Sequence, residues 1–99
     1  ANVATHKLRE ARWRILAALN IAAPYPTSER TILRAINDVD LELSEAGLRR
    51  ECCYLDQLDL LSIQEARDFW LLQLNADGTA IAEYATEAPQ GIARPDKYW

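Results

Sequence analysis

Few residues in this chain have chemistry to offer. Its only two cysteines, Cys52 and Cys53, are adjacent, and its single histidine, His6, stands far from them. A structural zinc site takes four Cys or His ligands in spaced pairs, so these three residues do not compose one. Adjacent side chains leave a helix about 100° apart, which also excludes an easy Cys52–Cys53 bridge. Cys52 is expected to fill the core as a small hydrophobe and Cys53 to be exposed. Asp38, Asp40, Glu42 and Glu45 form a denser acidic group, but alternating carboxylates are better explained as the wet face of a strand. Gly47, Gly78 and Gly91 are too scattered to cradle a phosphate. With no nucleophile beside a base and no metal cluster, the sequence implies no enzyme, no metal and no cofactor. Arginine remains. Arg49 and Arg50 lie on the polar side of a helical segment and Arg67 near a turn, and each guanidinium can fork onto a phosphate or a guanine edge.

The elements that must hold these arginines are legible from residue 44 onward. Ser44 is a good N-cap, and Glu45 behind it suits the positive end of a helix. Leu48, Cys52, Leu55 and Leu58 then recur at helical spacing, leaving Ala46, Arg49, Arg50, Cys53 and Gln57 on the other face. Asp59 can take a left-handed exit position. Beyond it Leu61 and Ile63 alternate with Ser62 and Gln64, a polar tip spans Glu65 to Asp68, and Phe69 to Leu74 forms a returning strand. Helix, exit turn and hairpin are therefore expected over 44–74.

Upstream, residues 1–5 read as a loose arm, with His6 near that mobile end. Leu8, Ala11, Ile15, Leu19 and Ala22 predict a helix over 6–22, stopped by Pro24 and Pro26. Thr27 or Ser28 caps a second helix reaching about Asn37, with Ile32, Leu33 and Ile36 as its apolar face. Asp38 to Leu43 alternates strictly, which predicts a short third strand beside the hairpin. Downstream, Asn75 caps a last helix to about Thr86, packed through Ile81 and Tyr84. The tail 87–99, with two prolines, is irregular. The expected core is Leu8, Ile15, Leu19, Ile32, Leu33, Ile36, Leu48, Cys52, Leu55, Leu58, Ile63, Leu72 and Leu74.

Ninety-nine residues with 49% hydrophobic and 26% charged side chains make one ordinary globular domain, 1–99. No apolar run approaches the ~18 residues of a membrane span, and no signal-peptide core is visible, so a cytoplasmic protein without a membrane partner is expected. The net charge of −4 disfavours nucleic acid. The charge is uneven, however: residues 1–34 hold six basic and two acidic side chains, and the rest is acidic. A local phosphate-attracting surface remains open to it.

Taken in order, these elements form an α+β winged helix-turn-helix, a helical body with a small antiparallel hairpin as wing. Three stretches carry that resemblance: Leu8 to Leu19, the exit "YLDQLDLLSIQ", and "LNADGTAIAEYA", which looks like the Thr/Asn-x-x-Gly opening of a closing helix. Asp59 stands where the family usually has glycine. More closely, "KLREARWRILAAL", the long link and the "GIARP" tail resemble small winged-helix proteins of Mu-like bacteriophages and prophages, loosely grouped with ArsR-like regulators. The metal-binding cysteines of ArsR sensors have no match beyond Cys52-Cys53, so metal sensing is not implied.

The expected function is DNA binding through the winged helix, as a phage or prophage transcriptional regulator. Helix 45–58 would read double-stranded DNA through Ala46, Arg49, Arg50 and Cys53, while Arg67 on the wing touches a phosphate or the minor groove. The alternative is an adaptor that presents the same scaffold to another phage protein in assembly or packaging. Trp13 and Ile21 fall off the first helix's core stripe, and the chain ends on Tyr98 and Trp99. Those four predict a homodimer interface; the competing expectation is that the tail covers Trp13 within one subunit.

Overall fold

The computed structural model describes residues 3–97. Helix α1 (Val3–Ala22) is followed by a two-residue strand β1 (Thr27–Ser28) and helix α2 (Glu29–Ile36). Helix α3 (Glu45–Gln57), the hairpin strands β2 (Leu61–Glu65) and β3 (Trp70–Leu74), and helix α4 (Ala76–Ala82) complete it. The fold is α+β, four helices against one antiparallel sheet with strand order β1-β3-β2. In the hairpin Leu61 faces Leu74, Ile63 faces Leu72 and Glu65 faces Trp70, while β1 pairs Thr27 with Leu72. The helix α1 packs against the other three helices and β3. No described helix is long and apolar enough to cross a membrane.

The core gathers Ile15, Leu16 and Leu19 of α1 with Ile32 and Ile36 of α2, Leu48, Cys52 and Leu55 of α3, and Leu61 and Leu72 of the sheet. Several expected core positions shift. Leu58 is 41% exposed, because α3 stops one residue before it and the chain turns away in a Schellman motif. Asp59 takes φ 64°, its N–H donates to the Asp56 carbonyl at 2.9 Å, and the Leu60 N–H donates to the Leu55 carbonyl at 3.0 Å. That geometry swings Leu60 into the core in place of Leu58. Leu33, Ile63 and Leu74 are half-buried against the core, and Leu8 lies half-buried outside it. Leu16, Leu41 and Ile92 join it from outside the expected core set.

The strand expected over 38–43 does not form. Instead the Asp38 carboxylate accepts the N–H groups of Asp40 and Leu41 in a tight turn. Farther along, the Asn37 side chain bonds both the N–H and the carbonyl of Leu43, at 3.0 and 2.9 Å. Side chains satisfy this backbone where a ladder was expected. Leu41 is buried as the alternation implies, yet Val39 is exposed. The third strand is Thr27–Ser28.

Two ends also differ. Helix α1 includes residues 3–5, expected as part of an arm, since extending a nucleated helix costs little. Helix α4 ends at Ala82 rather than Thr86, because Tyr84 adopts φ 62° and breaks the helical path. Asn75 is its N-cap by position, but its side chain is spent elsewhere: Nδ2 donates to the Asp59 carbonyl, and Oδ1 accepts from the Ser62 hydroxyl. The tail is irregular, as expected, and lies along α1.

Candidate nucleic-acid interface

Two serine caps set the helices that carry the candidate arginines. Ser28 accepts the Arg30 N–H at the start of α2, and Ser44 accepts the Gly47 N–H at the start of α3. Between these helices and the hairpin sits Glu29, the first residue of α2, with 5% of its surface exposed. Its carboxylate accepts Arg49 Nε at 2.7 Å, Arg49 Nη2 at 2.6 Å and the Trp70 N–H at 2.6 Å. One side chain thus ties α2, α3 and β3 together. These bonds hold the Glu29 carboxyl below its usual range, the Arg49 contact most strongly, while burial pulls the other way.

The guanidinium of Arg49 is therefore engaged. It lies 4.3 Å from the centre of the Trp70 ring, with the side chain 40% exposed, and Glu45 and Glu65 are near enough to add to its field. Ala46, Arg50 and Cys53 stand exposed on the outer side of α3, and Arg67 is exposed at the hairpin tip. Arg30 of α2 donates to the Asp68 carbonyl at 3.3 Å, which fastens the tip to that helix. Glu29, like Arg34, is a residue of this candidate site that sequence reading missed. Its partner in α3 is 20 positions away, and no local pattern marks the first acid of a helix as buried.

Most other arginines are consumed inside the fold. Arg9 donates to the Gln90 carbonyl; Arg12 bonds Glu51 and the Gly91 carbonyl; Arg14 bonds Glu10, Asp38 and the Ile36 carbonyl; Arg94 holds the carbonyls of Ile81 and Thr86. Among the described residues, Arg34 of α2, Arg50 of α3 and Arg67 of the hairpin have no hydrogen-bond or ion-pair partner. The free arginine charge therefore lies on the two packed helices and the hairpin.

The other sequence candidates resolve as follows. Cys52 is buried, and burial pushes its thiol up to about 12, whereas Cys53 is exposed. Among the described residues no group of three His, Cys, Asp or Glu side chains is placed to hold a metal ion. Trp13 is half-buried and meets Tyr84 edge-on at 5.8 Å, beside Ala93 and Pro95 of the tail. The tail reaches this ring pair through Tyr84, whose hydroxyl donates to the Pro95 carbonyl at 2.8 Å. Ile21, by contrast, is 88% exposed. Tyr98 and Trp99 lie outside the described residues.

No protein-family model matches the chain, and no curated protein matches it in sequence. One solved structure is similar in fold: AF1382 from Archaeoglobus fulgidus, with a TM-score of 0.63 over 75% of this chain and 78% of that one, at 10% identity. At that identity the likeness concerns the arrangement of helices and sheet alone.

Proposed function

We propose that the protein is a winged-helix DNA-binding protein acting as a phage or prophage transcriptional regulator. On this reading α2 and α3 form the helix-turn-helix and the β2–β3 hairpin is the wing. The outer row of α3, Ala46, Arg50 and Cys53, enters the major groove, with Arg50 meeting a phosphate at the groove edge and Arg34 and Arg67 meeting phosphates on either side. The observation that carries the reading is the distribution of free arginine. Arginines elsewhere are bound to carbonyls and carboxylates, whereas Arg34, Arg50 and Arg67 keep their donors for a partner. An unpaired exposed guanidinium gains little from its own protein and much from a phosphate. A gel shift on random duplex tests it. Arg34→Ala, Arg50→Ala and Arg67→Ala should each weaken binding several-fold. Retention of parental affinity by all three would remove the proposed interface.

A second reading, the adaptor for another phage protein, has its own support. The corner after α1 exposes Ile21 and Tyr25 (88% and 74%), together with Ala23, Pro24 and Pro26. It is stiffened by Gln73 Nε2 donating to the Pro24 carbonyl at 2.6 Å. No charged residue occurs between Ile15 and Ser28, and charge depletion is characteristic of protein-interface centres. This corner also holds Ile21, one of the expected homodimer residues, at 88% exposure. A parent that fails to shift any duplex would favour the adaptor.

A further inference from the structure

The arginine that the fold does engage is placed unlike the free ones. Glu29 takes the Nε edge of Arg49 through two bonds, at 2.7 and 2.6 Å, and the Trp70 ring covers one face of the guanidinium at 4.3 Å. Two of its five donors are used. The opposite edge, with the Nη1 hydrogens and the second Nη2 hydrogen, remains, and the side chain is 40% exposed. Arg49 therefore presents a fixed pair of parallel donors from the side of α3 nearest the hairpin.

Charge decides what such a pair can take. Glu29 neutralises Arg49, and Glu45 and Glu65 stand close by. A phosphate brought there would meet two further carboxylates and no net positive charge. The edge of guanine, by contrast, is uncharged and offers two acceptors, O6 and N7, at the spacing of an arginine fork. Fixing the guanidinium beforehand also removes most of the side-chain entropy lost on binding. We propose that Arg49 is a specificity-determining residue of the interface, reading a guanine end-on in the major groove, and that Glu29 is its positioning residue. This rests on the DNA-binding reading above. It assigns recognition to the engaged arginine and affinity to the free ones.

Selection from a random duplex pool, followed by titration of the selected and random duplexes, tests the assignment. The parent should enrich a site with one dominant guanine. Arg49→Lys keeps the charge but not the fork, and should cut the preference for that guanine about tenfold. Glu29→Gln removes a negative charge and loosens the arginine, so it should raise affinity for random duplex while lowering the preference at the same position. A purely structural Glu29 would lower both together. If Arg49→Lys keeps the guanine preference, or if the parent binds random duplex but enriches no guanine, the reader assignment is overturned and the DNA reading stands. If the parent binds no duplex, both fall. Circular dichroism of each variant separates loss of fold from loss of reading, and Arg49→Lys, a partly exposed change, keeps the test decisive if Glu29→Gln unfolds.

Discussion

Buried charge is the most informative feature at the scale of single residues. Glu51, 2% exposed on α3, is matched by Arg12 of α1 at 2.7 Å, and the Arg12 guanidinium lies 3.7 Å over the Tyr54 ring. It also donates to the Gly91 carbonyl, so one arginine joins α1, α3 and the tail. Removing one partner of a buried pair leaves the other uncompensated, which costs far more than the pair contributes. Arg12→Ala is therefore expected to lower stability by about 3–5 kcal/mol in denaturant unfolding. Adding Glu51→Gln to it should recover part of that loss. A cost under about 1 kcal/mol, the scale of a surface ion pair, would mean that Glu51 is solvated. Neither Glu29 nor Glu51 is legible as buried in the sequence. Both partners lie more than a helix length away in the chain, and an acid among arginines reads locally as a wet face.

Elements were legible where local chemistry and packing agree. Ser44 caps α3, Asp59 takes the left-handed exit, and Leu61 to Leu74 folds as a hairpin, each from a pattern contained within a few residues. The stretch 38–43 failed because alternation reports which side chains are buried, not what bonds the backbone: Leu41 is inside, yet Asn37 and Asp38 supply the bonds. The two-residue strand β1 has too little sequence to show a period, and its existence depends on β3. The motif around Gly78 has a direct physical reason. A Cβ at that position would overlap the Leu60 carbonyl, so α4 can lie against the exit turn of α3 only with glycine there. Gly78→Ala is expected to destabilise by about 2 kcal/mol or more, although alanine is the better helix former by about 1 kcal/mol. An increase in the thermal midpoint would show that α4 does not pack so closely.

At the scale of the whole molecule, the tail acts as a strap. The Ala93 N–H donates to the Arg9 carbonyl at 3.0 Å, Arg94 grips the end of α4, and Ile92 is buried with the core. Tyr84, whose hydroxyl donates to the Pro95 carbonyl of this strap, meets the half-buried Trp13 ring edge-on. Trp13→Ala should thus cost on the order of 2 kcal/mol in unfolding at any protein concentration, whereas Ile21→Ser should stay within about 0.5 kcal/mol. Equal effects at both positions would contradict the packing of the strap.

The whole-molecule charge bears most directly on function. At a net charge of −4, DNA binding would depend on individual unpaired cations, and the three free arginines set the size of the expected effect. Fluorescence anisotropy of a labelled duplex, titrated with the protein between 50 and 200 mM salt, measures it. Neutralising three phosphates corresponds to a slope of about −3 in log K against log salt concentration. That slope is expected for the parent, falling by about one with each of Arg34→Ala, Arg50→Ala and Arg67→Ala. An affinity that does not change with salt, or a slope that survives loss of all three arginines, would contradict it.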